Sequence, residues 1–125
     1  MKATELMLGD WVLMRGTPVQ VRAIGVNTIR FSDMLITEPL ENIEPIPLTP
    51  EILEKNGFEP VGFHRVWSNE EIKGRIEVDC VRDVSLEFWY VTYNNFPNKG
   101  RVRAWYVHEL QHTLTNAEIN RRIVL

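Results

Sequence analysis

The chain is 125 residues long, which fits one domain or two very small subdomains that share a core. Hydrophobic residues make up 44% and charged residues 25% of it, a balance that is typical of a globular protein and excludes a disordered chain. The net charge of −3, from 14 basic and 17 acidic residues, excludes a generally cationic protein that would bind nucleic acid or anionic membranes over its whole surface.

The first 47 residues alternate polar and apolar positions as β-strands do. Strands are predicted in "DWVLM", "VQVRAI", "TIRFS" and "MLIT", with turns at "RGTP" and "GVN" between them. Prolines at positions 39, 45 and 47 mark "EPLENIEPIPL" as an edge strand or extended connector, because proline lacks the N–H that a central strand needs. We therefore predict a small SH3-like β-barrel, or a bent meander, over residues 1–47.

The segment "LTPEILEKNGF" carries the clearest helix signal in the chain. Thr49 can cap the helix, Pro50 suits its first position, and Glu51 favours the positive end of its dipole. Gly57 supplies a left-handed residue that ends it. We predict a helix of about two turns that links the two subdomains and is held by packing rather than by its own propensity.

Residues 48–125 are predicted to form an α+β subdomain. Three or four antiparallel strands are indicated by "VGFHRVW", "GRIEVDCV", "VSLEFWYVTY" and "RVRAW". Val107, Leu110 and Leu114 then recur at helical spacing, which predicts a C-terminal helix whose apolar side packs on the sheet. The whole chain is thus expected to be an α+β protein.

The stretch "WYVHELQHTLTN" contains an H-E-x-x-H signature. His108 and His112 would lie one helical turn apart and can both reach a tetrahedral zinc ion, while Glu109 can polarise a bound water. Such a site also needs a third protein ligand, but no histidine follows His112, and nothing in the sequence directs His64 to the helix. We therefore predict an ordinary helix with no catalytic metal; a small zinc-dependent hydrolase that uses these residues is the alternative.

A second pattern, "NKGRVRAWY", sets basic residues beside aromatic ones. Lys99, Arg101 and Arg103 alternate along a predicted strand, so Arg101 and Arg103 point the same way, and Trp105 follows them. Cations interleaved with aromatic rings can grip a phosphate backbone and stack bases, and they make these four residues the candidate partner-binding site. The alternative is that they form the solvated face of a sheet whose other face is core.

Three blocks of the sequence, "LMLGDWV", "PIPLTPEILEKNGF" and "YVHELQHTLTNAEI", resemble a family of small uncharacterised proteins that is frequent in Bacteroides-type bacteria. That family is often associated with prophages or other mobile elements. The blocks occur in the same order and span nearly the full chain, and the central one is the most specific. The resemblance implies no established activity, cofactor or site. The family's last block is closer to H-x-L-Q-N, with asparagine at the position of His112 and often glutamine at that of Glu109, so this sequence departs from the family at both residues.

The remaining chemistry-bearing residues predict no catalysis. Cys80 in "EVDCV" is interpreted as a strand residue in the core rather than as a nucleophile activated by His64, and the sequence has no G-x-S-x-G, P-loop or G-x-G-x-x-G motif. One cysteine excludes an internal disulfide framework, and no run approaches the roughly 18 apolar residues that span a bilayer. We expect a cytoplasmic, non-enzymatic interaction protein without a cofactor, whose partner is a protein or a nucleic acid rather than a membrane or a small molecule.

Overall fold

The computed structural model describes residues 1–31, 37–61, 66–69, 76–83, 86–95, 98–117, 119 and 122–125. Its strands are β1 (Trp11–Met14), β2 (Thr17–Gln20), β3 (Ala23–Ile24), β4 (Thr28–Arg30), β5 (Glu38–Pro39), β6 (Ile43–Pro45), β7 (Phe58–Val61), β8 (Val66–Asn69), β9 (Ile76–Asp83), β10 (Leu86–Asn95) and β11 (Asn98–Ala104). Its helices are α1 (Pro50–Lys55) and α2 (Val107–Asn116), and short 3-10 turns cover Ala3–Glu5 and Leu40–Asn42. The predicted α+β class is therefore confirmed.

The described chain divides into two compact units. The first consists of Met1–Pro47 together with Tyr106–His108, and the second consists of Leu48–Trp105 together with Glu109–Leu125. No helix in the described part of the chain is long and apolar enough to cross a membrane.

The first unit contains two three-stranded antiparallel sheets, with the strand orders β2-β1-β6 and β3-β4-β5. Its core is a cluster of buried aliphatic side chains: Leu6, Val12, Val21, Ile29, Leu40 and Ile43. The described strands form no closed barrel, so the narrower prediction of an SH3-like barrel is not confirmed. Residues 32–36, which include most of the predicted strand "MLIT", lie outside the described part.

The β1–β2 hairpin is closed by a two-residue turn. Arg15 and Gly16 have φ values of 50° and 81°, and a type I′ turn requires a positive φ at both central positions. The turn lies within the predicted "RGTP", but Pro18 is not part of it. Pro18 instead pairs with Leu13 in β2, an edge strand, where proline is tolerated because only one side of the strand needs partners.

The proline-rich segment after residue 37 forms edge strands, as predicted. Pro39 ends β5 and Pro45 ends β6, and each of these strands lies at the edge of its sheet. In β5, the carboxylate of Glu38 is nearly buried and accepts a hydrogen bond from Asn42 Nδ2 at 2.9 Å. The guanidinium of Arg15 approaches the same oxygen to 3.1 Å, so the buried charge of Glu38 is paired.

The second unit contains a five-stranded antiparallel sheet in the order β11-β10-β9-β8-β7. The prediction of three or four strands was too low, because "VGFHRVW" contains the end of β7 and the start of β8 rather than one strand. Direct cross-strand partners share a face, and on one face Val78, Val91 and Ala104 are each 0% exposed. On the same face, the indole N–H of Trp89 donates a buried hydrogen bond to Leu48 O at 2.9 Å.

Both predicted helices are present. The Thr49 hydroxyl accepts a hydrogen bond from Ile52 N at 3.3 Å, Pro50 opens α1, and Gly57 follows it with a φ of 82°. In α2, the three apolar side chains that defined the predicted stripe are 0–1% exposed: Val107, Leu110 and Leu114. Local capping signals and a 3.6-residue period therefore located both helices correctly.

Candidate functional site

The H-E-x-x-H residues lie at the first two turns of α2, where the structure gives their side chains other contacts. His108 is 5% exposed, and its ring stacks on Tyr106 with the ring centroids 5.8 Å apart and the planes inclined by 8°. His112 is half-buried. A ring that is packed flat against another ring inside the protein is poorly placed to hold a metal ion that must also admit substrate and water.

Glu109 has a structural partner at the start of the helix. Its Oε1 accepts a hydrogen bond from the backbone N–H of Trp105 at 2.9 Å. The first N–H groups of a helix, and those just before it, have no partner within the helix, so a glutamate in the third position commonly satisfies one of them. This contact uses the carboxylate that a zinc hydrolase would need as its general base.

A third metal ligand is not found near these residues in the described part of the chain. Among the described residues, no group of three His, Cys, Asp or Glu side chains could hold a metal ion. His64 and the side chain of Cys80 lie outside what the structure describes, so the predicted core position of Cys80 stays a prediction.

The candidate partner-binding residues lie on and just after β11. Arg101 and Arg103 are exposed, and their positions pair with Thr92 and Tyr90 of β10, so the two arginines share one face of the sheet. Lys99 occupies the position in the same strand that pairs with Asn94. We call the three consecutive exposed residues Arg101, Val102 and Arg103 the arginine edge.

Arg101 lies over an aromatic ring that the sequence analysis did not single out. Its guanidinium carbon is 4.1 Å from the centroid of the Tyr90 ring, which is cation–π geometry. Tyr90 pairs directly with Arg103, so Arg101 is its diagonal neighbour across the two strands. The β10–β11 register places Tyr90 on the same face as the two arginines. The sequence does not give that register by itself, because it depends on how the two strands pair. The stacking orients Arg101 and covers one side of the ring.

Trp105 does not extend the arginine edge. It is half-buried and follows β11, and both of its backbone polar groups are used: its carbonyl accepts from Leu48 N at 3.1 Å and its N–H donates to Glu109. The candidate site therefore comprises two described arginines and a tyrosine rather than a run of cations ending in a tryptophan.

The sheet face that carries the arginines also carries a described acidic residue. Thr92 and Glu77 form a direct cross-strand pair on it, and both are exposed. The opposite face is the buried one described above. Among the described side chains, the arginines thus stand at one border of a face that also carries a negative charge.

No family model, curated protein or solved structure matches this chain. Its function must accordingly be inferred from the residues and contacts themselves. Among the described residues, the predicted site residues lie in two places, the arginine edge and the start of α2.

Proposed function

We propose that the chain is a non-catalytic interaction module that binds an acidic protein partner through the arginine edge. The observation that carries this proposal is the exposed pair Arg101 and Arg103, two residues apart on one face of β11, with Arg101 held over Tyr90 at 4.1 Å. A planar guanidinium that is already oriented loses less side-chain entropy when it pairs with a carboxylate.

An acidic protein is favoured over a nucleic acid because of the environment of the Tyr90 ring. Arg101 lies on one side of this ring, which removes half of the surface on which a base could stack. Pairing of the two arginines with carboxylates needs no such stacking surface.

The absence of catalysis is proposed on the contacts of α2. His108 is packed against Tyr106, and Glu109 holds the backbone of Trp105, so two of the three residues of the H-E-x-x-H signature have structural contacts. We do not propose the zinc hydrolase, since no described contact favours it. An SH3-like barrel is likewise no part of the proposal, because the described strands of the first unit form two separate sheets.

The cellular setting is also a proposal. A single cysteine fits the reducing cytoplasm, and the resemblance to the Bacteroides-type family adds a role in a prophage or other mobile element. A map of the neighbouring genes tests the second point: phage or transfer genes on both sides support it, and a housekeeping operon contradicts it.

The binding proposal is tested with polyanions of known chemistry. Fluorescence anisotropy measures the binding of polyglutamate, and of mixed-sequence single-stranded DNA and RNA, at about 50 and about 200 mM salt. The test variant is Arg101→Glu with Arg103→Glu. The control is Lys2→Glu with Arg22→Glu, which makes the same change in charge at two exposed residues of the first unit.

We expect polyglutamate affinity to fall at least about tenfold in the test variant and to stay nearly unchanged in the control. Equal losses in both variants, or no polyglutamate binding by the parent protein at the lower salt concentration, contradict the proposal. DNA or RNA that binds more tightly than polyglutamate through the same arginines would also overturn it, since the partner would then be a nucleic acid.

A further inference from the structure

The edges of the three described sheets are not alike. Three sheets have six edge strands, and four of these contain a proline: Pro18 in β2, Pro39 in β5, Pro45 in β6 and Pro60 in β7. A fifth edge strand, β3, has only two residues. The sixth, β11, has seven residues and no proline.

Proline at an edge has a physical consequence. It lacks an N–H group and cannot complete a ladder of backbone hydrogen bonds with an incoming strand, so it prevents a sheet from growing. A very short strand has the same effect because it offers too few backbone groups. Within the described sheets, five of the six edges are therefore closed to further pairing by proline or by length, and β11 is the exception.

The exposure of β11 shows that its middle is accessible from both faces of the sheet. Arg101 and Arg103 are exposed on one face, and Val102, on the other face, is 41% exposed. The cross-strand partner of Val102 on β10 is Val91, which is 0% exposed. The buried layer therefore covers Val91 on β10 and Ala104 at the end of β11, but it leaves Val102 in the middle of β11 exposed.

We propose that β11 accepts an extended acidic peptide, which adds to the sheet as a sixth strand. This inference rests on the proposed function and names the form in which its partner binds: backbone hydrogen bonds to the edge provide affinity, and pockets or charges at alternate side chains provide specificity. The arginine edge supplies two positive charges on one face and the half-exposed Val102 on the other.

The positive charge of the arginine edge determines which kind of strand can pair with β11. A second copy of this chain that paired antiparallel through its own β11, centred on Val102, would place Arg101 opposite the partner's arginine, and like charges in direct cross-strand pairs are destabilising. The same two arginines attract a strand that carries carboxylates. Arg101 and Arg103 therefore disfavour pairing between two copies of this chain, while they favour pairing with an acidic strand.

The geometry also specifies the pattern of the peptide. Side chains opposite Arg101 and Arg103 are two residues apart on the added strand and point to the same face, because side chains alternate along a strand. The residue between them points to the other face, beside Val102. The peptide is therefore acidic, apolar and acidic again at three successive positions.

The test uses a labelled synthetic peptide with the sequence SEVEVES and a charge-reversed peptide, SKVKVKS, in fluorescence anisotropy with the full chain. Two further versions of SEVEVES carry backbone N-methyl groups, one at its glutamates and one at its valines. Alternate N–H groups of a paired strand face its neighbour, so strand addition makes one methylated version lose affinity by at least roughly tenfold while the other keeps it. Arg101→Glu with Arg103→Glu should reverse the preference between SEVEVES and SKVKVKS.

Each other result has a defined meaning. Equal affinity of both methylated versions, or equal loss in both, overturns strand addition. If polyglutamate binds through the arginines and SEVEVES does not bind, strand addition is overturned and the proposed function stands. If neither ligand binds, both proposals fail.

Discussion

Asn56 and Val124 are joined by two hydrogen bonds, although 68 positions separate them in the sequence. Asn56 Nδ2 donates to Val124 O and Val124 N donates to Asn56 Oδ1, each at 2.8 Å. Nδ2 also donates to Ile52 O at 2.8 Å, so one buried amide satisfies the end of α1 and the backbone near residue 124 together. Since the buried amide of Asn56 needs partners, these hydrogen bonds hold the chain near residue 124 against the end of α1.

Replacement of Asn56 by alanine should reduce the free energy of unfolding by about 2–4 kcal/mol, because it leaves Val124 N–H and C=O without their partner. Alanine adopts the φ of −98° found at this position without strain, so the loss reports the hydrogen bonds. Urea denaturation measures it. The control is Asn116→Ala at an exposed position, which should change the free energy by less than about 0.5 kcal/mol. Similar losses in both variants would contradict the contribution of the Asn56–Val124 hydrogen bonds to stability.

Thr49→Ala should cost about 1 kcal/mol of stability, because it removes the hydroxyl that caps α1 by accepting from Ile52 N. Thr49→Ser keeps that acceptor and should stay within a few tenths of a kcal/mol of the parent protein. Thr115→Ala is the matched control, since its hydroxyl donates to Gln111 O within α2 and alanine has the higher helix propensity. Thermal unfolding that ranks Thr115→Ala below Thr49→Ala would contradict this assignment of the cap.

Glu109 should behave as a structural residue. Glu109→Ala removes the acceptor of the Trp105 N–H and should cost about 1 kcal/mol, whereas Glu109→Gln keeps an acceptor oxygen and should cost less than half as much. Both values are measured by urea denaturation. Equal costs for alanine and glutamine would show that the hydrogen bond itself contributes little.

Zinc should not stabilise the fold through the two histidines of α2. A ligand that binds only the native state raises the melting temperature according to its affinity. Because we expect no zinc site, zinc added to protein without a histidine tag should change the melting temperature by less than about 2 °C. His112→Ala should respond in the same way. A rise of several degrees that disappears in His112→Ala would reopen the possibility of a metal site.

The contact between Arg101 and Tyr90 should be measurable as a coupling energy. A double-mutant cycle with Arg101→Ala and Tyr90→Leu should give about 0.5–1 kcal/mol, which is the range of cation–π pairs at exposed positions. The same cycle with Arg101→Lys should give a smaller value, because a lysine ammonium keeps part of the cation–π attraction to the ring although it lacks the planar stacking surface. A coupling energy of zero in the first cycle would mean that the arginine is not held by the ring in solution.

The amino-acid sequence by itself determined the elements whose causes are local. The cap, first proline and glycine stop of α1 act within one or two helical turns, and the stripe Val107, Leu110 and Leu114 is a property of one helix. Hairpin turns such as Arg15–Gly16 are local in the same way, because their backbone angles depend on two residues. These features were predicted within a few positions.

Tertiary structure alone decided the rest. Which strand becomes an edge, which ring lies beneath Arg101 and where the carboxylate of Glu109 finds its partner all depend on the pairing of strands and on the start of α2. The Asn56–Val124 bonds likewise join residues whose separation carries no periodic signal. Patterns of 2 or 3.6 residues report which face of an element is apolar, but they do not say which elements meet, because that depends on the burial and hydrogen bonding of the whole unit at once.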